Sequence, residues 1–308
     1  MLSEKTLKDV RRLKPKAVLL QIPEGLKTKA QEISSELEAQ GPEVFISCDP
    51  CFGACDLRSD EAKRLGCDII VHVGHSSLGV KSSVPVLYDH WEMKIDTKKV
   101  MQELGDIRPH KKIGLVASLQ YARVLTDVRK MMEKRGFKTF AEKNKTSGII
   151  GQVLGCEYSA AKNLENKVDC FLFFGSGRFH PLGLAAATEK PVFLMDVENM
   201  TLVNLKNEML KEKIKKHLRI EKARECKTFG ILVSTKPGQA RPKEALRAKN
   251  ILEKKGKRSC ILSMDMFTPE GLMGIKVDCY VNTACPRMTG DFSLFGKTII
   301  GLEDLQEL

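Results

Sequence analysis

Ten cysteines are the residues of this chain best suited to chemistry, and their spacing sorts them into groups. Cys48, Cys51 and Cys55 form a C-x2-C-x3-C pattern inside CDPCFGACD, Cys156 closes TSGIIGQVLGC, and Cys285 follows VDCYVNTA. Thiolates bind zinc or iron, and the reducing compartment expected for this chain keeps cysteines from pairing as a disulfide scaffold. Cys67, Cys170, Cys260 and Cys279 sit in or beside apolar strand-like runs, where a buried structural thiol is the plainer role. Cys226, amid the charges of KARECKTFG, has no metal-like spacing around it.

Two metal arrangements are open. Cys48, Cys51 and Cys55 can form a local zinc site if His72 or His75 of VHVGH supplies a fourth ligand. Against this, VHVGH reads as a strand, where a hydrogen-bonded histidine is commoner. The favoured arrangement uses Cys55, Cys156 and Cys285, because each falls just after a predicted strand. In parallel sheets ligands bind beyond the carboxyl ends of the strands, so three such edges turned inward would bring these thiols together. Cys285 departs from the pattern by following the third strand of its unit rather than the second.

The elements that must position these residues recur three times. AVLLQIPEGL from Ala17, IGLVASLQY from Ile113 and FGILVSTKPGQ from Phe229 each open a unit as a strand. A helix-like stretch follows and stops at Gly41, Gly136 or Gly256, as expected where a helix ends in the left-handed conformation. A second strand comes next (EVFISC, FKTFAE, KRSCILSM), then two more: CDIIVHVG with VPVLYDH, VDCFLFFGSG with KPVFLMDV, and VDCYVNTA with KTIIGLED. Short apolar strands in this order predict an α/β protein of three pseudo-repeated Rossmann-like domains with parallel sheets covered on both faces. The expected domains are 1–108, 109–222 and 223–308, the second ending in a basic linking helix over about 198–222. At 308 residues the chain suits two or three such domains.

The formal net charge of +12 favours an acidic or nucleic-acid-associated partner, although a solvated basic surface is the simpler reading. With one Trp and four Tyr for base stacking, and no RNA-binding signature, direct nucleic-acid binding is not expected. The apolar runs are short and MLSEKTLKDVRRLKPK lacks a signal-peptide core, so a soluble cytoplasmic protein without membrane spans is expected.

Five ordered segments, LQIPEGL, CDPCFGACD, SGRFHPLGLA, STKPGQARP and NTACPRMTGD, closely resemble the archaeal 2-(3-amino-3-carboxypropyl)histidine synthases of diphthamide biosynthesis. Quinolinate synthases share three pseudo-repeated domains with one cluster cysteine each, but these segments look like the diphthamide enzymes. The resemblance implies a homodimer whose subunits hold one 4Fe-4S cluster centrally through the cysteines of GAC, LGC and ACPR, here Cys55, Cys156 and Cys285. Cys48 and Cys51 become bystanders, Cys51 close to the cluster. S-adenosylmethionine would occupy the open iron, and an electron from an unidentified donor would release a 3-amino-3-carboxypropyl radical. That radical would add to the imidazole C2 of one histidine in translation elongation factor 2.

Gln239 in STKPGQ and Arg287 in ACPR are candidates for holding the amino-acid part of S-adenosylmethionine, Arg287 because a guanidinium pairs bidentately with a carboxylate. The plainer roles are a loop amide for Gln239 and an ion pair with Asp291 or another carboxylate for Arg287. His180 in GRFHP, read as a strand-end loop, suits a structural hydrogen bond or a substrate contact equally. Two other readings remain: a quinolinate synthase-like 4Fe-4S enzyme, and a non-enzymatic zinc-binding interaction module.

Overall fold

The computed structural model describes residues 1–289 and 292–308. The chain divides into two compact units, Met1–Asn204 and Leu205–Leu308. In the first unit β1 (Ala17–Gln21), β2 (Glu43–Ser47), β3 (Ile69–Val73) and β4 (Val86–Asp89) form a parallel sheet in the order β2-β1-β3-β4. The arrangement recurs in β5 (Lys112–Ala117), β6 (Lys138–Phe140), β7 (Cys170–Gly175) and β8 (Val192–Asp196), ordered β6-β5-β7-β8. There β9 (Thr201–Asn204) adds an antiparallel edge that the sequence pattern did not reveal. The second unit holds β10 (Thr228–Ser234), β11 (Arg258–Met264), β12 (Cys279–Asn282) and β13 (Thr298–Gly301), parallel in the order β11-β10-β12-β13.

The fold is therefore α/β with three short, mainly parallel sheets, and the central strands explain why. β3 and β7 are buried along their whole length, as expected for strands flanked on both faces by helices or loops. The helix Ala30–Glu38 lays Ile33 and Leu37 on the core of the first sheet, with Leu26 and Ala30 packed beside them. Gly41, Gly136 and Gly256 carry φ values of 113°, 86° and 70°, so the three helix stops are left-handed turns, which glycine enters without a Cβ clash.

A further repeat is an aspartate clamp. Asp68, Asp169 and Asp278, each just before the third strand of its sheet, accept the two backbone amides at the start of the first strand. Asp169 Oδ2, for example, accepts from Lys111 at 2.9 Å and Lys112 at 2.8 Å. These donors, the largest influence at Asp68 and Asp169, lower those carboxyl pKa values. The same three carboxylates thus tie first to third strand at the amino edge of every sheet, leaving the carboxyl edge for the site.

Three expectations need correction. The linking helix spans Lys206–Glu225 rather than about 198–222, because β9 takes up the residues before it, and it packs on β13 of the third sheet. Leu210, Ile214 and Leu218 lie exposed on the helix at helical spacing. Cys260 is exposed, because edge strand β11 has an open face; β2 is likewise partly open. Cys226 and Cys279 form a disulfide with Cα atoms 6.2 Å apart, against the expectation of unpaired thiols. The end of the basic helix meets the start of β12 there, at the amino edge of the third sheet. Cys67 and Cys170 are buried as expected, and burial, followed by the adjacent Asp169, pushes the Cys170 thiol up to about 12.

Candidate metal centre

The carboxyl edge of the first sheet is organised by a buried glutamine. Gln21 closes β1, and the parallel register places Ser47 of β2 on one side and His72 of β3 on the other. Its Nε2 donates to the Asp56 carbonyl at 2.5 Å, which fixes the orientation of the amide because a carbonyl oxygen only accepts. Oε1 then faces the Arg58 amide at 3.2 Å and His72 Nδ1 at 3.0 Å. His72 must therefore carry its proton on Nδ1, leaving the Nε2 lone pair for His75 Nδ1, 3.0 Å away.

Both imidazoles are held neutral. Burial, then the nearby His75, lowers the His72 pKa to about 3, and burial, then the nearby His180, lowers that of His75 to about 4. His180 lies in the first turn of the helix Phe179–Ala187, not in the expected loop. Cys51 is buried beside the pair, its Sγ 4.0 Å from His72 Nε2 and 3.5 Å from Gln21 Nε2. One potential ligand atom each from Cys51, His72 and His75 all lie within 4.8 Å of one another. The local grouping among described residues thus contains one of the three CDPCFGAC cysteines together with both histidines. Cys48 is exposed, and Lys27 Nζ donates to its carbonyl at 2.8 Å.

Cys55 is half-buried in the loop that leaves β2. The loop is braced by the amide of Asp56 donating to Gly53 O at 3.0 Å and by Arg58 Nε against the buried Asp56 carboxylate at 3.2 Å. A Cβ on Gly53 would stand 3.2 Å from Cys55 Sγ, so glycine leaves the thiol its space.

Cys156 is exposed in the loop between β6 and β7. The chain before it returns to the carboxyl end of β5, where Val153 donates to Ala117 O at 3.0 Å and Ala117 to Gly151 O at 2.8 Å. Gln152 is buried and exchanges hydrogen bonds with Ser76 of the first sheet's loop region. Gly155 has no room for a Cβ, which would fall 1.9 Å from the Phe179 ring, and its carbonyl accepts from the Tyr158 hydroxyl at 2.6 Å.

In the second unit Cys285 is half-buried just beyond β12. Asn282 shapes the turn from both ends of its amide: Nδ2 donates to Cys285 O at 2.7 Å, and Oδ1 accepts from Ala284 N at 2.9 Å. Arg287 is exposed in the single turn Pro286–Thr289, and Asp291, one of the carboxylates considered as its ion-pair partner, lies outside the described residues. Gln239 is half-buried in a turn closed by its amide donating to Lys236 O at 2.9 Å.

Lys236 itself is buried, an uncommon place for a lysine, and sequence reasoning passed over it. Gln21 was missed likewise. The signal for each was a polar residue at or just past the end of an apolar strand, inside STKPGQ and LQIPEGL.

Cys55, Cys156 and Cys285 stand at the carboxyl edges of three repeated sheets, two in the first unit and one in the second. Each of these cysteines stands in a loop shaped by glycine or asparagine, and thiolates are the ligands that iron-sulfur clusters take.

A three-sheet α/β protein with a cysteine beyond each sheet is the class these features define. Residues 22–305 match the family model for diphthamide synthesis proteins, and the chain belongs to that family. It is 34% identical over 98% of its length, and 88% of the relative's, to the 2-(3-amino-3-carboxypropyl)histidine synthase of Pyrococcus horikoshii, a transferase by name. It also resembles the crystal structure of Dph2 from Pyrococcus horikoshii, with a TM-score of 0.92, 32% identity, and coverage of 100% of this chain and 91% of that one. The same protein solved with a 4Fe-4S cluster gives a TM-score of 0.91 and 33% identity over the same shares of both chains. No helix among the described residues is long and apolar enough to cross a membrane.

Proposed function

We propose that this chain transfers the 3-amino-3-carboxypropyl group of S-adenosylmethionine to the imidazole C2 of a histidine in translation elongation factor 2, the first step of diphthamide formation. The observation that carries the reading is the placement of Cys55, Cys156 and Cys285 beyond the strands of three like sheets, in a chain similar to a protein solved with a 4Fe-4S cluster. Such a cluster, held by three thiolates with one iron open, would supply the electron that splits the sulfonium bond to the γ-carbon, giving an aminocarboxypropyl radical and methylthioadenosine.

The chain's own tasks are binding, orientation and exclusion of water. Arg287 offers a guanidinium to the methionine carboxylate, and Gln239 an amide to the amino-acid part. The division into three domains, 1–108, 109–222 and 223–308, gives each cysteine its own sheet. A homodimer, an external electron donor and a cytoplasmic setting complete the reading, since the acceptor is a soluble translation factor.

The test is an anaerobic reaction of the reduced protein with elongation factor 2 and S-adenosylmethionine labelled in the aminocarboxypropyl group. Label on the factor with release of methylthioadenosine supports the proposal. Release of 5′-deoxyadenosine, or turnover of iminoaspartate with dihydroxyacetone phosphate, contradicts it.

A further inference from the structure

Apart from the three cysteines assigned to the cluster, Cys51, His72 and His75 make a second grouping with the chemistry of a metal site. We infer that Cys51 Sγ, His72 Nε2 and His75 Nδ1 hold one divalent cation of the zinc class, distinct from the iron of the cluster.

Zinc takes nitrogen at about 2.0 to 2.1 Å and sulfur at about 2.3 Å, so tetrahedral ligands lie about 3.3 Å apart for two nitrogens and about 3.6 Å for nitrogen and sulfur. The observed separations are 3.0 Å between the two nitrogens and 4.0 Å between His72 Nε2 and Cys51 Sγ. Shifts of a few tenths of an ångström bring these two into range, and Cys51 Sγ and His75 Nδ1, within 4.8 Å of each other, close by up to about 1.2 Å. Cys51 and His72 are buried, which favours a bound ion over exchange with solvent.

Metal-bound imidazoles generally donate their other ring N–H to a fixed acceptor, which sets the tautomer and the ring plane. His72 does this through Nδ1 to Gln21 Oε1, and the same amide places Nε2–H 3.5 Å from Cys51 Sγ, suited to a thiolate. Gln21 is held in turn by the Asp56 carbonyl and the Arg58 amide. One glutamine thus orients one ligand and polarises another, an arrangement a plain packing role does not require.

Two nitrogens and one sulfur suit zinc rather than magnesium or calcium, which take oxygen. Binding releases the Cys51 proton to solvent, and the ion keeps a single positive charge. Three protein ligands leave a fourth position for water beside His75, the least buried of the three. The ion would tie the end of β3 to the CDPCFGAC loop four residues before Cys55.

The experiment is metal analysis of the full chain purified anaerobically without chelator and supplied with zinc. Wild type should carry about one zinc per chain beside its iron, and His75→Ala should lose the zinc while keeping the iron. Gln21→Leu should weaken zinc binding by about 10-fold or more. Cobalt in place of zinc should give visible d–d bands and a thiolate charge-transfer band in wild type, the latter absent in Cys51→Ser. Cys156→Ala should lose iron and keep zinc, which separates this site from the cluster proposal. Absence of zinc in wild type, zinc retained in His75→Ala, or loss of iron in Cys51→Ser would each overturn the inference.

Discussion

Gln21 Oε1 lies 3.0 Å from His72 Nδ1, and through this contact the end of the first strand sets the protonation pattern of the buried histidine pair. Gln21→Leu preserves volume but leaves the Asp56 carbonyl, the Arg58 amide and His72 Nδ1 without that partner. A buried polar group stripped of its partner costs about 1 to 3 kcal/mol, so the variant should lose at least about 2 kcal/mol in urea unfolding. Unchanged stability would show that the amide is a bystander.

His72 and His75 have pKa values lowered to about 3 and about 4, against about 6.5 in an unfolded chain. In the metal-free protein their C2 proton resonances should therefore stay fixed from pH 8 to about 5. Below about pH 6.5 the unfolded chain binds protons that the folded one does not, so the pair's contribution to stability is lost as pH falls toward the folded values. The slope is at most about 1.4 kcal/mol per pH unit for each imidazole. His75→Phe should flatten it in denaturation series. A titration midpoint near 6.5 for either ring would contradict the assigned burial.

Gly155→Ala places a methyl group 1.9 Å from the Phe179 ring, next to Cys156. Phe179 is 38% exposed and can swing outward, so the expected cost is about 1 kcal/mol, at the low end for overpacking. The larger consequence should be reduced iron retention, because the loop carrying Cys156 loses its packing. Adding Phe179→Ala should restore the loop's position and the iron content; failure of the double variant to recover would mean the ring is not what Gly155 accommodates.

Much of this architecture is legible from residue order alone. Apolar runs such as CDIIVHVG and VDCFLFFGSG, punctuated by Gly41, Gly136 and Gly256, mark the parallel strands and the helix stops because burial and left-handed turns leave local traces. Relationships between distant residues do not. The Cys226–Cys279 disulfide depends on where a helix end meets a strand start 53 residues later. The aspartate clamps and the grouping of Cys51 with His72 and His75 depend on register across β1 and β3, which no single segment encodes. The sequence leaves the VHVGH histidines open as zinc ligands with all the CDPCFGAC cysteines, whereas among the described residues the local grouping contains Cys51 alone of that loop.

The account's central claim is that thiols far apart in sequence share one iron-sulfur cluster. Its most direct test is iron and sulfide analysis of anaerobically purified Cys55→Ala, Cys156→Ala and Cys285→Ala, with Cys48→Ala as control. The account predicts that each of the first three loses most of its iron and sulfide while the control keeps the wild-type content. Full iron and sulfide in any one of the three would remove that cysteine from the ligand set and contradict the claim.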